Sequence, residues 1–415
     1  MRIWIIQIGE PLPIDSGARL MRSGQLAGLL AARGHDITWW AASFDHFHKR
    51  HRANGPTTIA AGPGLTIELL PSPGYRSNVS LARLLDHFIL GWRFRSAVRT
   101  RARPDLVLAS LPTLELAEEA VLHGRRAGVP VVVDVRDLWP DIFIAAVPAM
   151  IRPLARVALW RAFARARSIL AGASAVTAVS ETYLDWALSR SGRPRRSSDR
   201  VFPLGYAPES SAEDPPAGVP GRLSLPDGSV IAAFVGTFGV HYDLGTVIAS
   251  ARILWNRGRR DVLFVLAGDG EMGPRWRSEG IGLPNVLFPG WLTAGDIRTL
   301  LRKAAIGLVA YRAGAPQSLP NKPFEYMSRG LALLNSLPGE LATLIDAERI
   351  GLGYTPGDPE DLARNVVRLV ENPELLREMR DRSRMLFAQR FDADRIYSAM
   401  ADHLIALARE GCPAP

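Results

Sequence analysis

The chain has 415 residues, 47% of them apolar, a mean hydropathy of +0.04 and one cysteine, Cys412. That length predicts two domains of roughly 200 residues with a cleft between them, and the apolar content excludes wholesale disorder. A single cysteine excludes a disulfide framework and a Cys-based zinc site, which fits a reducing, cytoplasmic compartment. The net charge of +9 is uneven: residues 1–200 hold 27 Lys/Arg against 16 Asp/Glu, whereas residues 201–415 hold 23 against 25. The basic excess therefore belongs to the first half and predicts an anionic surface or partner there. Only Lys49, Lys303 and Lys322 are lysine.

The segment Met1 to Gly9 is apolar but reaches Glu10 and Pro11 too soon for a signal core, and the longest apolar runs elsewhere are strand-sized, so no bilayer span is expected. Arg2 to Ile8 reads as a strand, followed by a Pro-rich loop with Gly17, a helical pattern over Leu20 to Arg33, and a strand over Asp36 to Ala42. Strand, loop, helix and strand make a βαβ unit and imply a parallel sheet. Strands over Asp105–Ala109, Val129–Val135, Ala175–Val179 and Arg200–Leu204 continue the alternation, with helices over Leu114–Arg126 and from Glu181.

Between Pro208 and Gly228 the composition turns to Pro, Gly, Ser and acidic residues, which reads as a linker. A second opening follows: a strand over Val230–Gly236, a turn bearing Gly236 and Gly239, and a helix over Leu244–Arg257. Strands over Val262–Leu266, Val286–Phe288 and Ile306–Ala310 come next, and a helical pattern over Ala393–Arg409 closes the chain. The expected class is α/β: two doubly wound Rossmann-like domains facing a cleft, at 1–208 and 230–393, joined by a linker at 209–229, with the last helix (about 394–415) packing back on the first domain.

Several constellations could carry chemistry. Gly268, Gly270 and Gly273 spell G-x-G-x-x-G after a strand, but that strand is the second of its domain and no ribose-binding carboxylate follows at the right distance. A tight turn lining a ligand cleft fits better than a dinucleotide site. Asp392 and Asp394 read as helix-capping carboxylates, and His46, His48 and His51 as a basic surface loop rather than a metal site. The run from Pro320 to Gly330 predicts a short helix with Pro323 in its first turn. Glu325 and Lys322 then stand at the edge of the sheet, where a carboxylate can accept ribose hydroxyls and an ammonium can neutralise a diphosphate. A capping carboxylate beside a solvated lysine fits the same spacing. Arg136, Asp137 and Trp139, directly after a strand, fit either a cleft wall or an internal ion pair.

Taken together, Arg136-Asp-Leu-Trp-Pro140, Ala178-Val-Ser-Glu181, Phe202-Pro-Leu-Gly-Tyr206, Phe234-Val-Gly-Thr237, Leu266-Ala-Gly-Asp-Gly270 and Lys322-Pro-Phe-Glu-Tyr-Met327 resemble the retaining glycosyltransferases of family 4, which have the GT-B fold. The resemblance runs from Ile3 to about Leu407 and is greatest to the branch that builds bacterial O-antigen, capsule and exopolysaccharide. It implies a nucleotide-diphosphate sugar donor, no metal and no further cofactor. By position Glu325 matches the second glutamate of the family's E-x7-E motif, which binds the ribose, and Gln317 stands where the first glutamate contacts the sugar. Gln keeps an acceptor but loses the charge.

A second departure is that Thr237 to Leu244 contains neither Lys nor Arg. The resemblance therefore assigns the diphosphate to Lys322, Arg312 and the backbone N–H groups of Phe238 and Gly239. Gly17, Gly236, Thr237, Gly268, Gly270 and Trp291 complete the implied donor site, and Arg136 and Asp137 occupy the region where many members place an active-site histidine. The implied acceptor is a polyprenyl-diphosphate-linked glycan at the inner face of the cytoplasmic membrane. Salt-sensitive attachment to that anionic surface is expected from the basic half, including Arg152, Arg156, Arg161, Arg165 and Arg167, which fall in two stripes rather than one when placed on a helix. Nucleic acid is not expected, since aromatic and basic residues do not interleave. The competing readings are a nucleotide-sugar epimerase or hydrolase of the same fold and a non-catalytic subunit.

Overall fold

The computed structural model of the chain describes residues 1–15, 20–77, 80–145, 147–206, 225–226 and 228–411. They divide into two compact units: Met1–Leu204 with the segment from Asp394 on, and Gly205–Ala393. The stretch read as a linker lies, but for a few residues, outside the described residues.

In the first unit the elements run β1 (Arg2–Ile6), α1 (Arg22–Ala32), β2 (Asp36–Ala42), β3 (Phe44–Asp45), β4 (Arg50–His51), β5 (Thr57–Gly62), β6 (Leu65–Leu70), α2 (Leu81–Ala97), β7 (Leu106–Leu111), α3 (Leu114–Ala127), β8 (Val131–Val135), α4 (Asp141–Ala145), α5 (Arg152–Ala158), α6 (Trp160–Gly172), β9 (Ala175–Ala178), α7 (Glu181–Ser191) and β10 (Arg200–Val201). The sheet order is β10-β9-β8-β7-β1-β2-β6-β5, parallel throughout except for the β5–β6 pair, while β3 and β4 form a separate antiparallel ribbon. Strands β7 and β8 are buried along their whole length, as expected where helices cover both faces, whereas β5 alternates half-buried and exposed residues as an edge strand does. Trp4, Trp40 and Phe94 meet edge-to-face at centroid distances of 5.2–6.5 Å in the core. Helix α3 ends on Gly128 in the left-handed region, and Gly124 is the only size that fits under Val129 and Val131. Consecutive strands change direction of progression between β1 and β7, so the switch point of this sheet lies beyond Ile6 and Leu111.

The second unit runs β11 (Val230–Val235), α8 (Leu244–Asn256), β12 (Val262–Ala267), α9 (Gly273–Glu279), β13 (Val286–Gly290), α10 (Ala294–Lys303), β14 (Ile306–Val309), α11 (Asn321–Ser328), β15 (Ala332–Asn335), α12 (Glu340–Glu348), β16 (Gly351–Gly353), α13 (Pro359–Glu371) and α14 (Pro373–Arg390). Its six strands are all parallel in the order β13-β12-β11-β14-β15-β16, the doubly wound order whose switch point falls between β11 and β14. Asp243 caps α8 through the Thr246 N–H at 3.2 Å, and Thr293 and Asp296 form a reciprocal capping box on α10. The closing helix α15 (Ala393–Glu410) belongs to the first unit from Asp394 on. There Asp402 pairs with Arg33 at 2.7 Å, and the His403 ring lies 5.6 Å from that of Phe202.

Candidate active site

At the switch point of the second unit stand several residues of the expected donor site, Lys322, Gly236 and Arg312 among them. Val235 ends β11, and its N–H donates to the buried hydroxyl of Tyr326 at 3.0 Å, while Tyr326 packs over Gly307 of β14, where any side chain would collide with the ring. The glycine inside an apolar strand is the sequence mark of that close approach. One turn earlier on α11, Lys322 donates from Nζ to the Val235 carbonyl at 2.5 Å and lies over the Phe234 and Tyr242 rings at 4.7 and 5.0 Å. Burial pushes its pKa down to about 8, with nearby Glu325 pulling the other way. The ammonium is thus still mostly protonated at neutral pH, and it stands at the C-terminal end of the strand beside the glycine turn.

Glu325 is half-buried and accepts a hydrogen bond from the Tyr206 hydroxyl at 3.2 Å. Gln317 lies on the segment joining β14 to α11, and its Oε1 is shielded from solvent yet receives no hydrogen bond. A buried amide oxygen without a donor is costly, and in a site it marks where a ligand hydroxyl belongs. Arg312 is exposed just beyond β14, its guanidinium donating to the Val240 carbonyl at 3.4 Å, so it flanks the Gly236–Leu244 turn. Trp291 is 65% exposed beyond β13, two strands away from β11.

The glycine turn departs from expectation. The Phe238 N–H donates to the Asp269 carbonyl at 2.8 Å and the Gly239 N–H to the Thr237 carbonyl at 3.0 Å, so the two N–H groups assigned to the diphosphate are already engaged. The Phe238 ring is fully buried against Trp276 and Phe288. Gly268 and Gly270, at φ of 139° and 153°, press their backbones onto Gly236 and Phe238, where a side chain would overlap the Gly236 and Phe238 main chains. The literal glycine motif is therefore a backbone-to-backbone fit that shapes the turn, and Thr237 is the exposed residue it leaves facing outward. Gly17 lies outside the described residues.

In the first unit, all three nitrogens of the Arg136 guanidinium are engaged. It donates from Nε to Asp134 at 2.7 Å, from Nη2 to Ser23 at 2.9 Å and from Nη1 to Glu10. Arg22 binds the same Asp134 through two bonds of 2.9 and 3.0 Å, and Thr177 donates to it at 2.7 Å. Burial alone would push Asp134 up, but the two guanidiniums hold its carboxyl well below the usual range. Two arginines and two carboxylates close on one another, the internal ion pair that the spacing had left open. Asp137 is half-buried, caps the Leu138 N–H at 2.9 Å and has its pKa raised by burial.

Sequence reasoning missed the recess at this unit's own switch point. A cavity of about 160 Å³ opens between the ends of β1, β2 and β7, lined by Gln7, Gly9, His46, Tyr75, Arg83 and His87 among others. His46 Nδ1 is 2.7 Å from the Tyr75 hydroxyl, and the Lys49 ammonium and Arg83 guanidinium lie 4.6 and 5.6 Å from the Tyr75 ring centre. Burial first, then Lys49 and Arg83, push His46 down to about 4, and burial with Arg83 pushes His87 down to about 3, so both imidazoles are neutral at pH 7. Among the described residues no group of three His, Cys, Asp or Glu could hold a metal ion. His48 is instead paired with Asp45 at 2.7 Å.

Residues 229–372 match the family described as glycosyl transferases group 1, and residues 21–205 match the glycosyl transferase 4-like domain. No curated protein matches the chain. Among solved structures, sucrose-phosphate synthase from Thermosynechococcus elongatus superposes with a TM-score of 0.71 at 18% identity, covering 99% of each chain. HepE of Anabaena, in complex with UDP, gives 0.66 at 15% identity over 98% of this chain and 100% of that one. WaaG, a glycosyltransferase involved in lipopolysaccharide biosynthesis, gives 0.64 at 14% identity over 97% and 99%. At these identities the likeness concerns the fold.

Proposed function

Because the chain belongs to the group 1, GT4-like glycosyltransferases of the GT-B fold, we propose that it moves a hexosyl or N-acetylhexosaminyl group from a UDP-sugar to a hydroxyl of a polyprenyl-diphosphate-linked glycan, with retention of configuration, in the synthesis of a surface polysaccharide. The observation that carries the reading is Lys322, a shielded cation held at the C-terminal end of β11 by the Val235 carbonyl, where a doubly wound sheet binds its ligand. UDP as the base is supported by the HepE complexes with UDP and with UDP-glucose. Acceptor and pathway are supported by the resemblance to WaaG and by the basic first half of the chain.

The chemistry asks for stabilisation of a departing diphosphate while the anomeric carbon becomes oxocarbenium-like. The Lys322 ammonium and Arg312 supply fixed positive charge for that diphosphate. Glu325, already turned toward a hydroxyl donor in Tyr206, accepts the ribose hydroxyls, and Gln317 Oε1 accepts one hydroxyl of the sugar. The bond from the anomeric carbon to the phosphate oxygen breaks, the acceptor oxygen bonds to the same face, and its proton passes to the departing phosphate oxygen, so no separate base is required. The Gln in place of a glutamate gives the non-catalytic alternative its one specific support.

Calorimetry with UDP, GDP, dTDP and ADP, followed by UDP release assayed with and without a lipid-linked acceptor, tests the proposal. Tight binding of UDP with acceptor-dependent release is expected. Release that ignores the acceptor would make the protein a hydrolase or epimerase, and binding without release would make it a non-catalytic subunit.

A further inference from the structure

Among the described residues seventeen large apolar side chains are exposed, and ten of them fall in just two segments of the first unit. On α2, Leu81, Leu85, Phe88 and Trp92 follow one another at helical spacing and are 83, 57, 60 and 65% exposed, with Leu84 beside them. Around α5, Met150, Leu154, Val157 and Trp160 repeat the pattern, 60–93% exposed. Scattered exposed leucines need no explanation, but two such stripes do.

The charges around both stripes are predominantly positive. Residues 76–103 hold seven arginines and a single acid, Asp86, which is buried and bonded to Ser72 and the Gly74 N–H. Residues 142–180 hold five arginines and no acid. Glu115, Glu118 and Glu119 of α3, next to α2, are answered by Arg165 at 2.7 and 2.8 Å and by Arg95 at 3.8 Å. A second copy of the chain would bring cation against cation. An apolar surface in a cationic frame, with Trp92 and Trp160 at exposed positions, has the chemistry of an anionic lipid surface, whose interface takes up tryptophan and whose headgroups take up arginine.

We propose that the exposed faces of α2 and of the segment from Met150 to Trp160 dock this unit on an anionic membrane leaflet, with apolar insertion adding to the electrostatic attraction. The proposal rests on the reading of a lipid-linked acceptor in one respect only. The other side of α2 carries Arg83, Asp86 and His87 into the wall of the recess at the ends of β1, β2 and β7, so a helix seated on the leaflet sets that recess at the membrane surface.

The test uses the full chain with Cys412→Ser, carrying one environment-sensitive fluorophore at Leu85→Cys, Leu154→Cys or, as a control on the second unit, Arg377→Cys. Vesicles are of phosphatidylcholine alone or mixed equally with phosphatidylglycerol. With the anionic vesicles the labels at 85 and 154 are expected to shift to the blue and the label at 377 to stay unchanged. The exposed-site variant Leu84→Ser/Leu85→Ser/Phe88→Ser is expected to keep its melting temperature and UDP affinity while its vesicle partition falls roughly tenfold or more, from the apolar area lost. Equal pelleting with both vesicle types, pelleting with unshifted labels at 85 and 154, or protection of those labels by self-association without vesicles would each overturn it. Vesicle binding needs neither nucleotide nor turnover, so its failure and a failure of the donor reading are told apart by the UDP titration.

Discussion

Lys322 reaches back from the first turn of α11 to the carbonyl of Val235, 87 residues earlier, and that single 2.5 Å bond places the cation at the mouth of the β11–β14 switch point. Replacing it with alanine removes a charge-assisted contact to the diphosphate of about 1.5–3 kcal/mol, so UDP affinity is expected to fall roughly 10- to 100-fold. Unchanged calorimetric affinity in Lys322→Ala would remove the lysine from the donor site.

The same lysine predicts a pH dependence. A diphosphate favours the protonated ammonium, so UDP affinity is expected to hold up to about pH 8 and then decline by as much as about tenfold per unit as the free protein's lysine loses its proton. In Lys322→Arg, whose side chain keeps its charge, that decline should vanish over pH 6.5–9.5. An identical decline in the arginine variant would show that another group titrates.

Gly236 gives an independent check. Its φ is 143° and a methyl group there would overlap the Lys322 ammonium. Gly236→Ala is therefore expected to weaken UDP binding about tenfold or more by moving a side chain it never replaces. Retained affinity would mean that the lysine's position is not what binds the nucleotide.

Gln317 separates binding from turnover. If its orphaned Oε1 holds a sugar hydroxyl, Gln317→Ala should lower kcat about 3- to 10-fold, the worth of one hydrogen bond, and leave UDP affinity within about twofold. A variant with unchanged kcat would show that the amide faces nothing in the reaction.

What the sequence made legible follows from the physics of each element. Buried parallel strands such as Val230–Val235 and Val262–Ala267 are continuous apolar runs between turn residues, and much of both Rossmann-like sheets could be drawn from such runs, though not β5, β6 or β16. Helix α2 could not, because the outward face of Leu81 to Trp92 is apolar while its buried face carries Asp86 and His87, so the usual pattern of polar residues outside and apolar residues inside does not mark it. Lys322 and Glu325 were visible because a first-turn proline and a closing glycine fix their helix. Nothing local shows that Arg22 meets Asp134 across 112 residues, so the spacing left Arg136 open between a cleft wall and an internal ion pair, and the structure makes it one member of a closed ionic group.

That group yields the last prediction. Asp134 is fully buried and receives two bonds from Arg22, one from Arg136 and one from Thr177, so in Asp134→Asn two buried guanidiniums are left with the single carboxylate of Glu10. Breaking a buried pair costs about 3–5 kcal/mol, which for a unit of this size lowers Tm by roughly 10 °C. The sign with pH is fixed by the depressed carboxyl: its contribution is present above the unfolded value of about 3.9 and is lost as pH falls toward the folded value, so the wild type should lose Tm below about pH 4 more steeply than Asp134→Asn does. Arg136→Ala should behave as a stability variant too, with its Tm lowered and UDP affinity intact. If Arg136→Ala instead kept its Tm and lost only kcat, the arginine would belong to the reaction and not to the scaffold.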